Sequence, residues 1–176
     1  QNYHAEIIDI RRYLHQHPEL SYEEVETGKY IAKTLKDFGI EHEHGWAENG
    51  VVGYIKGKNP DKKVIALRAD FDALRIEEAN DVPYKSKNKG VMHACGHDVH
   101  TSSLLGVAKI LNELKSEFEG TIKLIFQPAE EKMPGGASIL IKEGVLENPR
   151  PTSIFGQHVH PPLAAGKIGL RPGMYM

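Results

Sequence analysis

Cysteine is nearly absent: Cys95 is the only one in 176 residues. No intrachain disulfide can therefore staple the fold, and no oxidising compartment is implied. An excess of charge of one sign is missing too. A net charge of −2 lacks the basic surplus of nucleic-acid binders. No apolar run nears the ~20 residues of a membrane-spanning helix, and no basic-then-apolar leader opens the chain. Internal repeats and low-complexity tracts are missing as well. These absences lead us to expect a soluble, cytoplasmic protein with no nucleic-acid and no membrane partner. The chain starts at Gln1 and stops at "RPGMYM", so both are expected to be cut ends.

What remains is ordinary globular material, 40% apolar and 26% charged, enough for one domain with a sizeable core. In "SYEEVETGKYIAKTLKDFG", Ser21 and Glu24 form a capping-box pattern. Val25, Gly28, Ala32, Leu35 and Phe38 then share one helical face, and Gly39 suits the end. An earlier helix is expected from about Glu6 to His15, stopped by Pro18. "VVGYIKG" and "KKVIALRAD" read as strands, the second with the continuous apolar run of a strand buried on both faces. "TSSLLGVAKILNELKSEF" carries a helical stripe of Leu104, Val107, Ala108, Leu111, Leu114 and Phe118. A strand "GTIKLIFQ", a short helix "GGASILIKEG" and a strand "TSIFGQHV" follow. This alternation predicts an α/β fold, a mostly parallel sheet with helices on both faces.

Sites in open α/β sheets form in loops beyond the carboxyl ends of strands. Here those loops are "DFDAL" (70–74), "PAEEKMPGG" (128–136) and "HVHPP" (158–162), and "VMHACGHDVH" (91–100) precedes the long helix. All four carry carboxylates or imidazoles, so they are expected to converge on one rim. Cys95 and His97, two apart, face one way if they lie in a loop, which starts a metal site; otherwise Cys95 is a small buried hydrophobe. Adjacent Glu130 and Glu131 diverge, so one can ligate while the other takes a proton from water. His158 can complete a mixed set of S, N and O donors, with His160 as the alternative. Asp72 can orient a ligating histidine. Asp70, Asp98, His93 and His100 rank lower, and His42 and His44 in "EHEHG" read as solvated on an edge strand.

"RRYLHQHPELSYEEVET", "ALRADFDAL", "MHACGHDVHT", "IFQPAEE" and "IFGQHVHP" resemble, in order and spacing, the amidohydrolase branch of the aminoacylase/carboxypeptidase metallopeptidases. That branch includes hippurate hydrolases, N-acyl-amino-acid deacylases and auxin-conjugate hydrolases. The resemblance covers nearly the whole chain. It implies Cys95, His97, Glu131 and His158 as ligands of two divalent ions (manganese, zinc, nickel or cobalt), with the Cys95 thiolate able to serve both. It implies Glu130 as general base and an N-acyl amino acid as substrate. Members of the branch continue further, through an inserted satellite domain that mediates dimerisation and a returning catalytic segment with one more histidine ligand. On that pattern residues 1–176 are the N-terminal portion of the catalytic domain of a homodimer. Two other readings stay open: a cysteine hydrolase using Cys95 as nucleophile, and a protein that binds metal or acyl-amino acids without turnover.

Overall fold

A computed structural model describes residues 3–170 and 172–173. Along the chain run α1 (Tyr3–Gln16), α2 (Val25–Asp37), β1 (Glu41–Trp46), β2 (Gly50–Lys56), β3 (Val64–Asp70), α3 (His97–Glu113), β4 (Thr121–Gln127), α4 (Gly136–Lys142) and β5 (Ser153–Gly156). The strands form one sheet in the order β1-β2-β4-β3-β5. β3 is parallel to both β4 and β5, whereas β2 is antiparallel to both β1 and β4. Four strands thus point one way and β2 alone reverses, which makes the sheet mixed. The reversal needs no crossover helix, because Ala47 and Glu48 take positive φ (45° and 71°) and turn the chain within a few residues.

The continuous apolar runs are explained by burial on both faces. Strand side chains alternate with period two, and both sets find cover here. Val51, Ile55, Leu124 and Phe126 face a core shared with Ile10 and Leu14 of α1, Ile31 and Leu35 of α2, and Leu104, Leu105 and Ala108 of α3. Val52, Ala66 and Ile125 face the other way, towards Ala47, Val145 and Leu140 of α4. Helices therefore cover both faces, as expected. Leu124 is 0% exposed, so its truncation to alanine is expected to cost about 2–5 kcal/mol.

Two local expectations are corrected. Ser21 and Glu24 do not form a capping box: α2 begins at Val25, and no side chain of its N-cap residue Glu24 caps it. Ser21 Oγ donates instead to Asp72 Oδ2 (2.7 Å), and Glu24 Oε1 accepts the Ala129 N–H (2.7 Å). Glu19 takes over the first turn, accepting the N–H groups of Glu26 (3.2 Å) and Thr27 (2.7 Å). Val107 of α3 and Leu114 just past its end are 40% and 47% exposed, and Leu105 holds a core position instead. The helix also starts earlier, at His97, and ends at Glu113. "EHEHG" forms β1, an exposed edge strand as expected. Among the described residues, no helix is long and apolar enough to cross a membrane.

Candidate metal centre

β3, β4 and β5 run parallel, so their carboxyl ends lie on one rim, and the first turn of α3 completes it. Gly96 makes that turn possible. It takes φ +88°, a conformation that L side chains rarely adopt, and a Cβ there would stand 2.5 Å from Val159 Cγ2. His97 is the first residue of α3. Cys95 and His97 therefore come from either side of a left-handed turn and do not share one extended loop as expected. The β4 exit is equally tight. Ala129 has φ 49°, and a Cβ on Gly136 would lie 1.9 Å from the Pro128 carbonyl oxygen, so only glycine fits the start of α4.

His97 sits at the middle of the rim and is 0% exposed. Its Nδ1 pairs with Asp72 Oδ1 at 3.0 Å. Its Nε2 is buried and has no hydrogen-bond partner. Around that nitrogen stand Glu131 Oε1 and Asp70 Oδ1, each at 3.8 Å. Cys95 Sγ and His158 Nε2 lie 3.4 Å from each other. Three sets of potential ligand atoms, each within 4.8 Å of one another, all include His97: Cys95–His97–His158, Asp70–His97–His100 and His97–Glu130–Glu131. The structure thus brings together Cys95, His97, Glu130, Glu131 and His158, with Asp72 behind His97. His160 is exposed and outside all three sets.

Asp72 ties this arrangement to the fold. Its Oδ2 accepts both the Ser21 hydroxyl (2.7 Å) and the Glu131 N–H (2.9 Å). Burial alone would raise its pKa, but the bonds from His97, the Glu131 amide and Ser21 hold it below the usual carboxylate value. For His97, burial disfavours the charged ring, while Asp72 and Asp70 outweigh that and raise its pKa. The Cys95 thiol is pushed up to about 12 by burial, then by a hydrogen bond and charge from Glu131 and by the charges of Glu130 and Asp70. Carboxylates thus gather around the thiol and the imidazole, a setting that favours a bound cation. A buried imidazole with one nitrogen fixed by a carboxylate and the other open is the usual state of a metal-ligating histidine. The thiol, imidazole and carboxylate donors suit zinc and its neighbours.

Other residues on the rim carried weaker signals. Asp70 and His100, ranked low from sequence, are buried beside the site and paired at 2.6 Å. His97 and His100 are three apart, the spacing that shares a helix face, so an earlier helix start would have revealed the pair. Asp98 turns away from the cluster to His15 (2.7 Å). His93 is buried, its pKa pushed down to about 4 chiefly by burial. With Arg11, Asp98, Cys95 and His158 it lines a cavity of about 370 Å³.

The sequence pattern of peptidase family M20/M25/M40 matches residues 66–175. The chain belongs to this family. It is 46% identical over 175 residues to the N-acetylcysteine deacetylase of Bacillus subtilis, covering 99% of this chain and 45% of that protein. With an IAA-amino acid hydrolase of Arabidopsis thaliana the identity is 48% over 168 residues, 95% of this chain and 37% of that one. A solved M20-family structure from Bacillus subtilis, described as a dinuclear metal binding peptidase, superposes with a TM-score of 0.91 at 46% identity. It covers 97% of this chain and 47% of that one. The chain thus spans about half the length of the curated relatives it matches. For this M20 chain the α/β architecture agrees with what the motifs implied.

Proposed function

We propose that this chain is the metal-binding part of an amidohydrolase that cleaves the amide bond of N-acyl amino acids or similar small amides, releasing a carboxylic acid and an amino acid. The observation that carries this reading is the buried, unpartnered Nε2 of His97, backed by Asp72 and surrounded by thiol, imidazole and carboxylate groups. The activities in the relatives' names, deacetylation of N-acetylcysteine and hydrolysis of IAA-amino acids, support it.

Cys95, His97, Glu131 and His158 would hold two divalent ions, of manganese, zinc, nickel or cobalt. When bound, such ions polarise a carbonyl and make water more acidic. Glu130 is the general base: it takes the proton of the attacking water and returns it to the leaving amine. The neighbouring carboxylates can divide this work because adjacent side chains diverge, and the Glu131 backbone N–H is tethered to Asp72. Asp72 also occupies Nδ1 of His97 and so aims the Nε2 lone pair outwards from the protein's own bonds. A nucleophilic cysteine needs an electropositive setting that lowers its pKa. Cys95 instead has the carboxylates of Glu131, Glu130 and Asp70 around it, a setting that favours its role as ligand to a cation over attack on substrate. A lone ligating thiol also suits the reducing cytoplasm.

On the same reading, residues 1–176 form the first portion of the catalytic domain of a homodimeric enzyme. A satellite domain and a returning catalytic segment then belong to the remainder. The length relation to the relatives supports this.

Elemental analysis of divalent metal on protein purified without chelator tests the reading. Near two ions per chain are expected, with fewer in Cys95→Ser, and amine release from N-acyl amino acids by the chain extended past Met176. Metal and substrate binding without amine release would make this a binding protein. No metal in either length would overturn the assignment.

A further inference from the structure

His158 is exposed, and it follows a strand whose four residues are all exposed. The pairing of β5 with β3 ends at Gly156, and further contacts hold His158 beside Cys95. The chain of contacts starts in the sheet. Arg68 donates from Nε to Gln127 Oε1 (2.9 Å) and from a terminal nitrogen to Asp70 Oδ2 (2.6 Å). Asp70 Oδ1 pairs with His100 Nδ1 at 2.6 Å, and Asp70's own carbonyl accepts the Thr101 hydroxyl (2.8 Å). His100 Nε2 accepts the backbone N–H of Val159 at 3.0 Å. Val159 also lies over Gly96, where even a Cβ would collide with it. The neighbouring His158 ring stands edge-on to His100, centroids 4.5 Å apart.

A backbone amide only donates. His100 Nε2 must therefore carry a lone pair, and its proton must sit on Nδ1, facing Asp70. That lone pair is already used, so His100 is unavailable as a ligand even though it stands close to His97 and Asp70.

We infer that Asp70 and His100 are positioning residues: Asp70 holds His100 in its Nδ1–H tautomer, and His100 then fixes the Val159 amide and sets His158 beside Cys95. The inference rests on reading His158 as a ligand, as proposed above. Both residues are nearly fully buried, at 1% and 2% exposed. Neither touches substrate in this scheme; they act through the loop.

The test uses metal-free protein, so its outcome is independent of whether ions bind or amides are cleaved. Long-range proton–nitrogen NMR on the unaltered chain should show His100 with its proton on Nδ1; a proton on Nε2 would overturn the inference. In His100→Phe, which keeps ring volume but loses the acceptor, hydrogen exchange at the Val159 amide should quicken by about tenfold, the factor that one net hydrogen bond represents. The amides of β3 and β4 should keep their rates. His100→Gln, which retains a donor for Asp70 and an acceptor for Val159, should restore most of the protection. Unchanged exchange at Val159 in His100→Phe, or equal acceleration throughout the sheet, would also overturn it, the latter by showing a merely structural role.

Discussion

Two buried polar clusters flank the start of α3, and they differ in how their histidines are satisfied. In the first, His97 has one nitrogen on Asp72 and the other without a partner. In the second, His15 of α1 uses both: Nδ1 meets Asp98 at 2.7 Å and Nε2 meets Glu78 at 3.1 Å. Arg11 adds its charge to Asp98 at 2.9 Å. Two carboxylates on one imidazole favour its charged form, and the hydrogen bond to Asp98 is the main cause of the raised His15 pKa, against burial. An imidazole with one carboxylate and one open nitrogen keeps that nitrogen free of any bond among the described residues. The same residue type thus locks α1 to α3 in one place and offers a lone pair in the other. Glu24 makes a third case, a carboxylate at 0% exposure that has amide donors but no cationic partner among the described residues.

The sharpest way to separate the two clusters is to alter the chemistry of the first without its structure. Glu130→Gln in the extended chain should retain metal and lose about 10²–10⁴-fold in amide hydrolysis, the usual worth of a general base; metal analysis and amine release check both halves. Next in size is His15→Leu, which leaves Asp98 and Glu78 facing each other across a neutral side chain. It should cost about 3–5 kcal/mol of stability, as expected when one partner of a buried pair is removed, with metal content unchanged. The pH dependence has a definite sign. Because the folded pKa of His15 is raised, its contribution is present below the ordinary imidazole value and lost as pH rises through the folded one. The gap between the two proteins in urea denaturation should therefore be wider at pH 6 than at pH 9.

Glu24 should behave the opposite way from a paired carboxylate. Burial pushes its pKa up to about 7, so the folded protein prefers the protonated form. Stability is highest below the ordinary carboxylate value and falls as pH rises through 7. Glu24→Gln should remove roughly 2–3 kcal/mol of that decline between pH 5 and pH 8, visible as a flatter denaturation midpoint. Asp72→Asn is expected to give the smallest of these effects, a 10- to 100-fold loss of metal affinity through a disturbed His97. Equilibrium dialysis measures it, and an unchanged affinity would place Asp72 outside the machinery of the site.

Much of the site was legible because its residues cluster in short motifs at strand ends. Cys95 and His97 stand two apart, Glu130 and Glu131 lie in the loop after β4, and His158 follows β5. A parallel arrangement of strands is enough to gather such loops on one rim. The partners were harder to see. Ser21 and Glu24 fit a helix cap by local spacing, yet both were drawn to groups far along the chain, Asp72 and Ala129. His15 and Asp98 lie 83 residues apart, and no periodicity links positions at that separation. Val107 and Leu114 matched an apolar stripe but are exposed, because the core shared with α1 and the sheet takes Leu104, Leu105 and Ala108, and Leu114 lies past the helix end.

Local sequence determined the elements themselves, since burial on two faces demands continuous apolar strands and Gly96 alone permits the turn between Cys95 and His97. It also determined the donor set, since thiol, imidazole and carboxylate chemistry belongs to the side chains wherever they lie. Only the tertiary structure decided the reversal of β2, which nitrogen of each histidine is left open, and which carboxylates are paired. Those outcomes depend on which groups meet in a low-dielectric interior, where an unmatched charge or donor is costly, and that meeting is a property of the folded chain.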